Sequence, residues 1–155
     1  MRRAVESWLE EPLAAFVDDA RLRVALILEP SGRVLAQHGF TRSVDVQSAC
    51  ALAAASHATA TELGKQVDGV PFTSLHYGGS VSQIFLAVLH APRGILLLLC
   101  VFDEGSSLGL VKLYFAELRS RVATASPPAA WHGAALSADF ESELNRNLAQ
   151  LFGRG

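Results

Sequence analysis

Between Gly94 and Leu118 the chain reads GILLLLCVFDEGSSLGLVKLYFAEL, and the spacing of its apolar positions changes across one short acidic, serine-bearing turn. Ile95 to Phe102 is apolar with no polar alternation, so a strand here needs cover on both faces. Such a strand belongs at the centre of a sheet, where full burial of each aliphatic side chain contributes about 1.5 to 3 kcal/mol. Past the turn the period becomes helical, which predicts a helix from Leu108 to about Ala125 that ends before Ser126-Pro127-Pro128. Ser106 or Ser107 can accept from the first free amides of that helix, and Asp103 and Glu104 lie near its positive end.

The same reading predicts the other elements. Val5, Trp8, Leu9, Leu13, Phe16 and Val17 recur at helical spacing, and Pro12 either kinks this first helix or marks its first turn from about Glu11. Leu22 to Leu28 and Val34 to Gln37 flank Glu29-Pro30-Ser31-Gly32 as a hairpin. Asp45 to Val67 is an alanine-rich helix, capped by Ser43 or Asp45 and stopped by Gly69 and Pro71. Phe72 to Tyr77, the turn Gly78-Gly79 and Val81 to Leu89 form a second hairpin, and Pro92-Arg93-Gly94 turns the chain into the central strand. The expected order is helix, two strands, helix, three strands, helix, an α/β (α+β) domain with a five-stranded antiparallel sheet between helices.

Small residues on nearly every side of the alanine-rich helix let other backbones approach closely. Packing on its own sheet accounts for one face, and pairing with a second helix accounts for the others. Beyond residues 1–126, residues 127–136 read as a linker and 137–155 as a C-terminal amphipathic helix. Its stripe is Leu136, Phe140, Leu144, Leu148, Leu151 and Phe152, with Ser137 as cap and Asp139 and Glu141 in the first turn. That stripe either folds back on the same sheet or docks on another chain.

At 155 residues and 50% apolar, the chain can bury a real core as one domain with one appendage. The net charge is -2 and the 13 basic residues are scattered, which argues against nucleic acid. Cys50 and Cys100 sit in apolar or alanine-rich stretches, as free thiols in a reducing cytoplasm would. No segment reads as a targeting or membrane-spanning stretch.

Candidate chemistry is sparse. The histidines at 38, 57, 76, 90 and 132 never fall three or four positions apart, and neither cysteine belongs to a CxxC pair, so no metal site is expected. Cys50 and His57 lie two turns apart, too far for a nucleophile and its base. Nucleophile-elbow, phosphate-loop and dinucleotide-binding motifs are absent, and no cofactor or catalytic residue is expected. Gly105 and Gly109 flank Ser106 and Ser107 at a helix start, where an anion could bind, although a simple cap is the plainer reading.

With these segments in place, the chain resembles the roadblock / dynein light chain superfamily, and within it the MglB-like regulators of Ras-like GTPases. The likeness rests on ALILEPSGRVLAQHG (Ala25 to Gly39), on ELGKQVDG (Glu62 to Gly69) closing the alanine-rich helix, and on LLCVFDEGSSLGLVKLYF (Leu98 to Phe115). It implies a profilin-like roadblock sandwich, with the alanine-rich helix on one face of the sheet and the first and third helices on the other. It also implies a homodimer, in which the alanine-rich helices pair through Ala51, Ala54 and Ala55 and sheet edges join through Phe72, Ser74 and His76. The partner implied is a small Ras-like polarity GTPase of the MglA type, whose own catalytic residues such regulators shift without an arginine finger. Carried onto this chain, its contact surface is the ridge of Ala58, Glu62 and Lys65, with Phe140, Leu144, Leu148 and Phe152 of the tail. MglB-like sequences tend to keep that ridge small, and Glu62 departs from this, so it either blocks docking or demands a basic partner surface. A scaffold that tethers partners without changing GTP turnover is the alternative. Lys112 stands where the family often has arginine and reads as a solvated or capping charge.

Overall fold

The computed structural model describes residues 2–4, 6–40, 45–92 and 94–124. Its strands are β1 (Arg2–Ala4), β2 (Val24–Leu28), β3 (Val34–Gly39), β4 (Ser74–Gly78), β5 (Gln83–Ala91) and β6 (Gly94–Phe102). Its helices are α1 (Glu10–Asp19), α2 (Val46–Asp68) and α3 (Leu108–Thr124), with a 3-10 turn at Ser7–Leu9 ahead of α1. The sheet order is β1-β3-β2-β6-β5-β4, and every pairing is antiparallel.

The apolar run from Ile95 makes β6 the central strand, paired with β2 on one side and β5 on the other. Leu96 to Cys100 and Phe102 are buried, whereas Ile95 at the strand's start remains 38% exposed. Alternation sends Leu97 and Leu99 to one face, where they join Val24, Leu26, Leu28 and Leu86 beneath Cys50 and Ala53 of α2. Leu96, Leu98, Cys100 and Phe102 point to the opposite face. There Phe85 meets Phe115 of α3 edge-on at 5.4 Å between ring centroids, and α1 lies beside α3. The expected profilin-like roadblock sandwich is therefore the observed architecture.

Two details differ from the sequence reading, and of its two alternatives for Pro12 the structure has the first-turn one. The sheet gains a sixth strand, β1, whose Arg2, Arg3 and Ala4 pair with His38, Gln37 and Ala36; its RRA sequence carries no apolar alternation to signal a strand. The first helix begins at Glu10, so Pro12 lies in its first turn, where a missing N–H leaves no hydrogen bond unmade. Phe72 precedes β4, which starts at Ser74. The linker 127–136, the helix 137–155 and its Phe140, Leu144, Leu148 and Phe152 lie outside the described residues.

Both ends of α2 are fixed by its own sequence. Asp45 Oδ1 accepts from the Ser48 amide at 3.2 Å, and this bond holds the Asp45 carboxyl below its usual range. Gly69 closes the helix in the left-handed region at φ 80°, its N–H donating to the Lys65 carbonyl at 3.1 Å. Just before that end the chain doubles back against the helix at Gly64. A Cβ there would lie 2.2 Å from the Phe72 nitrogen and 2.6 Å from the Val70 oxygen. Backbone, rather than a movable side chain, fills the space, so only glycine fits.

Gly64→Ala is accordingly expected to destabilise the protein by about 2 kcal/mol through forced backbone displacement, although alanine is the better helix former. Urea denaturation followed by circular dichroism checks this, and an unchanged midpoint would show that the close approach is not needed.

Candidate partner-binding surface

The helix α2 spans 23 residues and buries only Cys50, Ala53, Ala60 and Gly64. Side chains this small bring the helix backbone near the sheet and leave its outward side uncovered. Ala51, Ala55 and Ala58 are exposed there and Ala54 is half-buried. Leu52 and Leu63, about three turns apart, fall on one line of the helix, with Val67 one turn further. Leu52 is 68% exposed, Leu63 51% and Val67 65%, and Val70 just past the helix is 60% exposed. These aliphatic side chains, left in water along one side of the helix, make that side a candidate contact surface. The sequence reading singled out the alanines and missed these larger residues; their wide spacing along an otherwise small-residue helix was the available signal.

The ridge Ala58, Glu62 and Lys65 lies along the exposed side of α2. Glu62 Oε1 sits 3.5 Å from Lys65 Nζ, so part of its charge is met within the helix, an exposed pair worth a few tenths of a kcal/mol. A partner therefore meets a mixed charge pair at this point rather than a bare carboxylate.

Beside α2 the sheet ends at β4, which pairs with β5 on one side and has no strand on the other among the described residues. Ser74, His76, Tyr77 and Gly78 are exposed. An edge this open is a template for another strand. The side chains of Ser74 and His76 face away from α2. His76 stacks over Phe102 at 6.2 Å between centroids and shares a 2.8 Å hydrogen bond between Nε2 and Gln83 Oε1. The structure does not bring these candidates together: Ala51 lies beside Gly32 of the β2–β3 turn, its Cα 3.6 Å from where a Gly32 Cβ would sit, while Ser74 and His76 lie on β4 at the other end of the strand order. Phe72 is half-buried, its amide beside Gly64.

The other candidate sites are used internally. Ser107 Oγ caps α3 by accepting from the Leu110 amide at 3.2 Å, while Ser106 Oγ donates to the Ala20 carbonyl at 2.5 Å. Asp103 Oδ1 takes the Gly105 amide at 2.9 Å. This turn is a cap and a tie to the end of α1. Cys50 and Cys100 are buried; burial pushes the Cys50 thiol up and drives that of Cys100 to about 12. Among the described residues no group of three or more His, Cys, Asp or Glu side chains could hold a metal ion. No helix among them is long and apolar enough to cross a membrane.

This arrangement, an antiparallel sheet between one small-residue helix and a pair of larger ones, is the roadblock fold, and it is similar to three solved structures, two of them of MglB. An MglB in a tetrameric arrangement is 22% identical with a TM-score of 0.70, over 81% of this chain and 93% of that one. Myxococcus xanthus MglB is 21% identical with a TM-score of 0.65, over 72% and 89% of the respective chains. A roadblock/LC7 domain from Streptomyces avermitilis is 19% identical with a TM-score of 0.58, over 74% and 92%. No family model and no curated protein matches the sequence. At these identities the likeness establishes the fold.

Because thiolate is the reactive form and both thiols are shielded, the native protein is expected to react with a disulfide reagent at pH 8 at least about 100-fold more slowly than the urea-unfolded chain. A rapid burst of one equivalent in the native protein would return Cys50 to the list of candidate nucleophiles.

Proposed function

We propose that the protein is a homodimeric regulator of a small Ras-like GTPase of the MglA type, without a catalytic centre of its own. The observation that carries this reading is the exposed aliphatic side of α2 continuing into the open edge of β4. Two copies placed together there would cover Leu52, Leu63 and Val67 and complete the sheet, removing both liabilities at once. The MglB-like fold supports the same reading, as does the tetrameric arrangement described for one MglB.

Ala58, Glu62 and Lys65 then form the shelf offered to the GTPase. The Glu62–Lys65 pair supports docking rather than exclusion, because a partner need only supply a matching pair of charges. Phe140, Leu144, Leu148 and Phe152 are proposed as a second, tethered contact, with 1–126 as the folded domain and 127–136 as its linker. Regulation comes from shifting the GTPase's own groups, in keeping with the buried thiols of Cys50 and Cys100 and the internally bonded Ser106 and Ser107.

Sedimentation of the purified protein is expected to give a dimer, with Ala55→Glu producing monomer. Addition to an MglA-type GTPase is expected to accelerate GTP turnover, and Ala58→Arg to remove the acceleration while leaving the dimer intact. Unchanged acceleration by Ala58→Arg would contradict the assigned shelf. Binding with no change in turnover would select the scaffold reading.

A further inference from the structure

On the other side of the sheet, α3 and β5 enclose a groove of about 310 Å³ that touches the proposed dimer surface only at Ser74 and the proposed GTPase surface nowhere. Phe85 and Phe115 form its floor, Thr73 and Ser74 one rim, and Lys112 and Arg119 the other. No Asp or Glu lines it. Lys112 and Arg119 are both exposed, and neither pairs with a carboxylate among the described residues. Arg119 lies over the Phe115 ring, its guanidinium carbon 5.6 Å from the centroid, which keeps the cation at the mouth of the groove. Along α3 the pattern is cation, aromatic, cation over about two helical turns, roughly 10 Å.

The strand beside this groove is also incomplete. The last β4 to β5 pair is Ser74 with Ala87, yet β5 runs on to Ala91. The Val88 amide donates to the Thr73 carbonyl at 3.0 Å, which fixes the direction of alternation. Two residues on, the N–H and C=O of His90 face the same edge, where no strand lies beside them among the described residues.

We propose that this groove binds an extended acidic segment of a partner protein, with an acid–apolar–acid pattern at alternate positions. The main chain of the segment pairs with His90 as a short added strand. Its apolar side chain rests on Phe85 and Phe115, and its two carboxylates meet Lys112 and Arg119. Alternate residues of a strand lie on one face, so positions i and i+4 span about 13 Å, within reach of two long basic side chains. A single small anion cannot bridge both cations and offers no amides to His90, which selects a peptide. The proposal is independent of the GTPase reading, because the peptide's contacts, His90, Phe85, Phe115, Lys112 and Arg119, lie on neither α2 nor β4.

The probe is a fluorescein-labelled synthetic peptide with Glu, Leu and Glu at alternate positions and Ser or Thr between them, titrated with the full chain and followed by fluorescence anisotropy. Saturable binding is expected, weakened about tenfold or more by Lys112→Glu, by Arg119→Glu and by Gln in place of both peptide Glu residues. Lys112→Gln is expected to give an intermediate loss at an unchanged melting temperature, which separates a charge contact from damage to the fold. Backbone N-methylation of the peptide is expected to abolish binding, whereas Ala58→Arg in the protein leaves it unaltered. Equal binding of the Gln peptide, indifference to the Lys112 and Arg119 variants, or retained binding of the methylated peptide would overturn the proposal. So would peptide binding that dissociates the protein's own oligomer in proportion, since the groove would then belong to self-association.

Discussion

The close packing of α2 on the sheet is the constraint on which the other features depend. A helix whose inward residues are Cys50, Ala53, Ala60 and Gly64 can sit near the strands only because no side chain holds it away. The returning segment at Val70 and Phe72 uses the same lack of bulk, approaching the helix backbone where Gly64 leaves room. The small residues that permit this contact also leave α2 with little apolar area buried inward. Its larger aliphatics, Leu52, Leu63 and Val67, face out. Tight inner packing and an unfinished outer surface have one cause.

The two faces of the sheet are consequently unequal. One is covered thinly by α2, and the other carries α1 and α3 with Leu13, Phe16, Val111, Phe115 and Leu118 buried. The heavier side supplies most of the core, which leaves the thinner side with its larger aliphatics in solvent. The strand β6 reconciles the two, since Leu97 and Leu99 serve one face while Leu98, Cys100 and Phe102 serve the other. The sheet's end reflects the same division: among the described residues β4 has a free edge beside α2, and where β4 stops short a groove opens toward α3. Two surfaces of different chemistry result, one aliphatic and one cationic over aromatic rings.

Elements with a strong local period were legible in the sequence. The unbroken apolar run specified β6, and Asp45 and Gly69 specified the ends of α2 to within a residue. The sequence was silent where tertiary context decides. Arg2, Arg3 and Ala4 form a strand because β3 offers an edge, which no property of those three residues announces. At the candidate surface the alanines drew attention by number, yet exposure of Leu52 and Val67 emerges only once the helix is oriented against its sheet. Lys112 read as a solvated charge for the same reason: its place at the rim of a groove follows from the distance between α3 and β5, which sequence spacing cannot encode.

The central claim is that a second copy of the chain covers the outward side of α2 and the free edge of β4. Amide hydrogen exchange along Ser74 to Gly78, measured over a range of protein concentrations, tests it most directly, because edge amides paired across a dimer exchange slowly and open ones do not. Slow exchange of alternate β4 amides, lost on dilution through the dissociation range, is the predicted result. Rapid exchange of the same amides at every concentration would mean that the edge stays open and that the account of α2 is wrong.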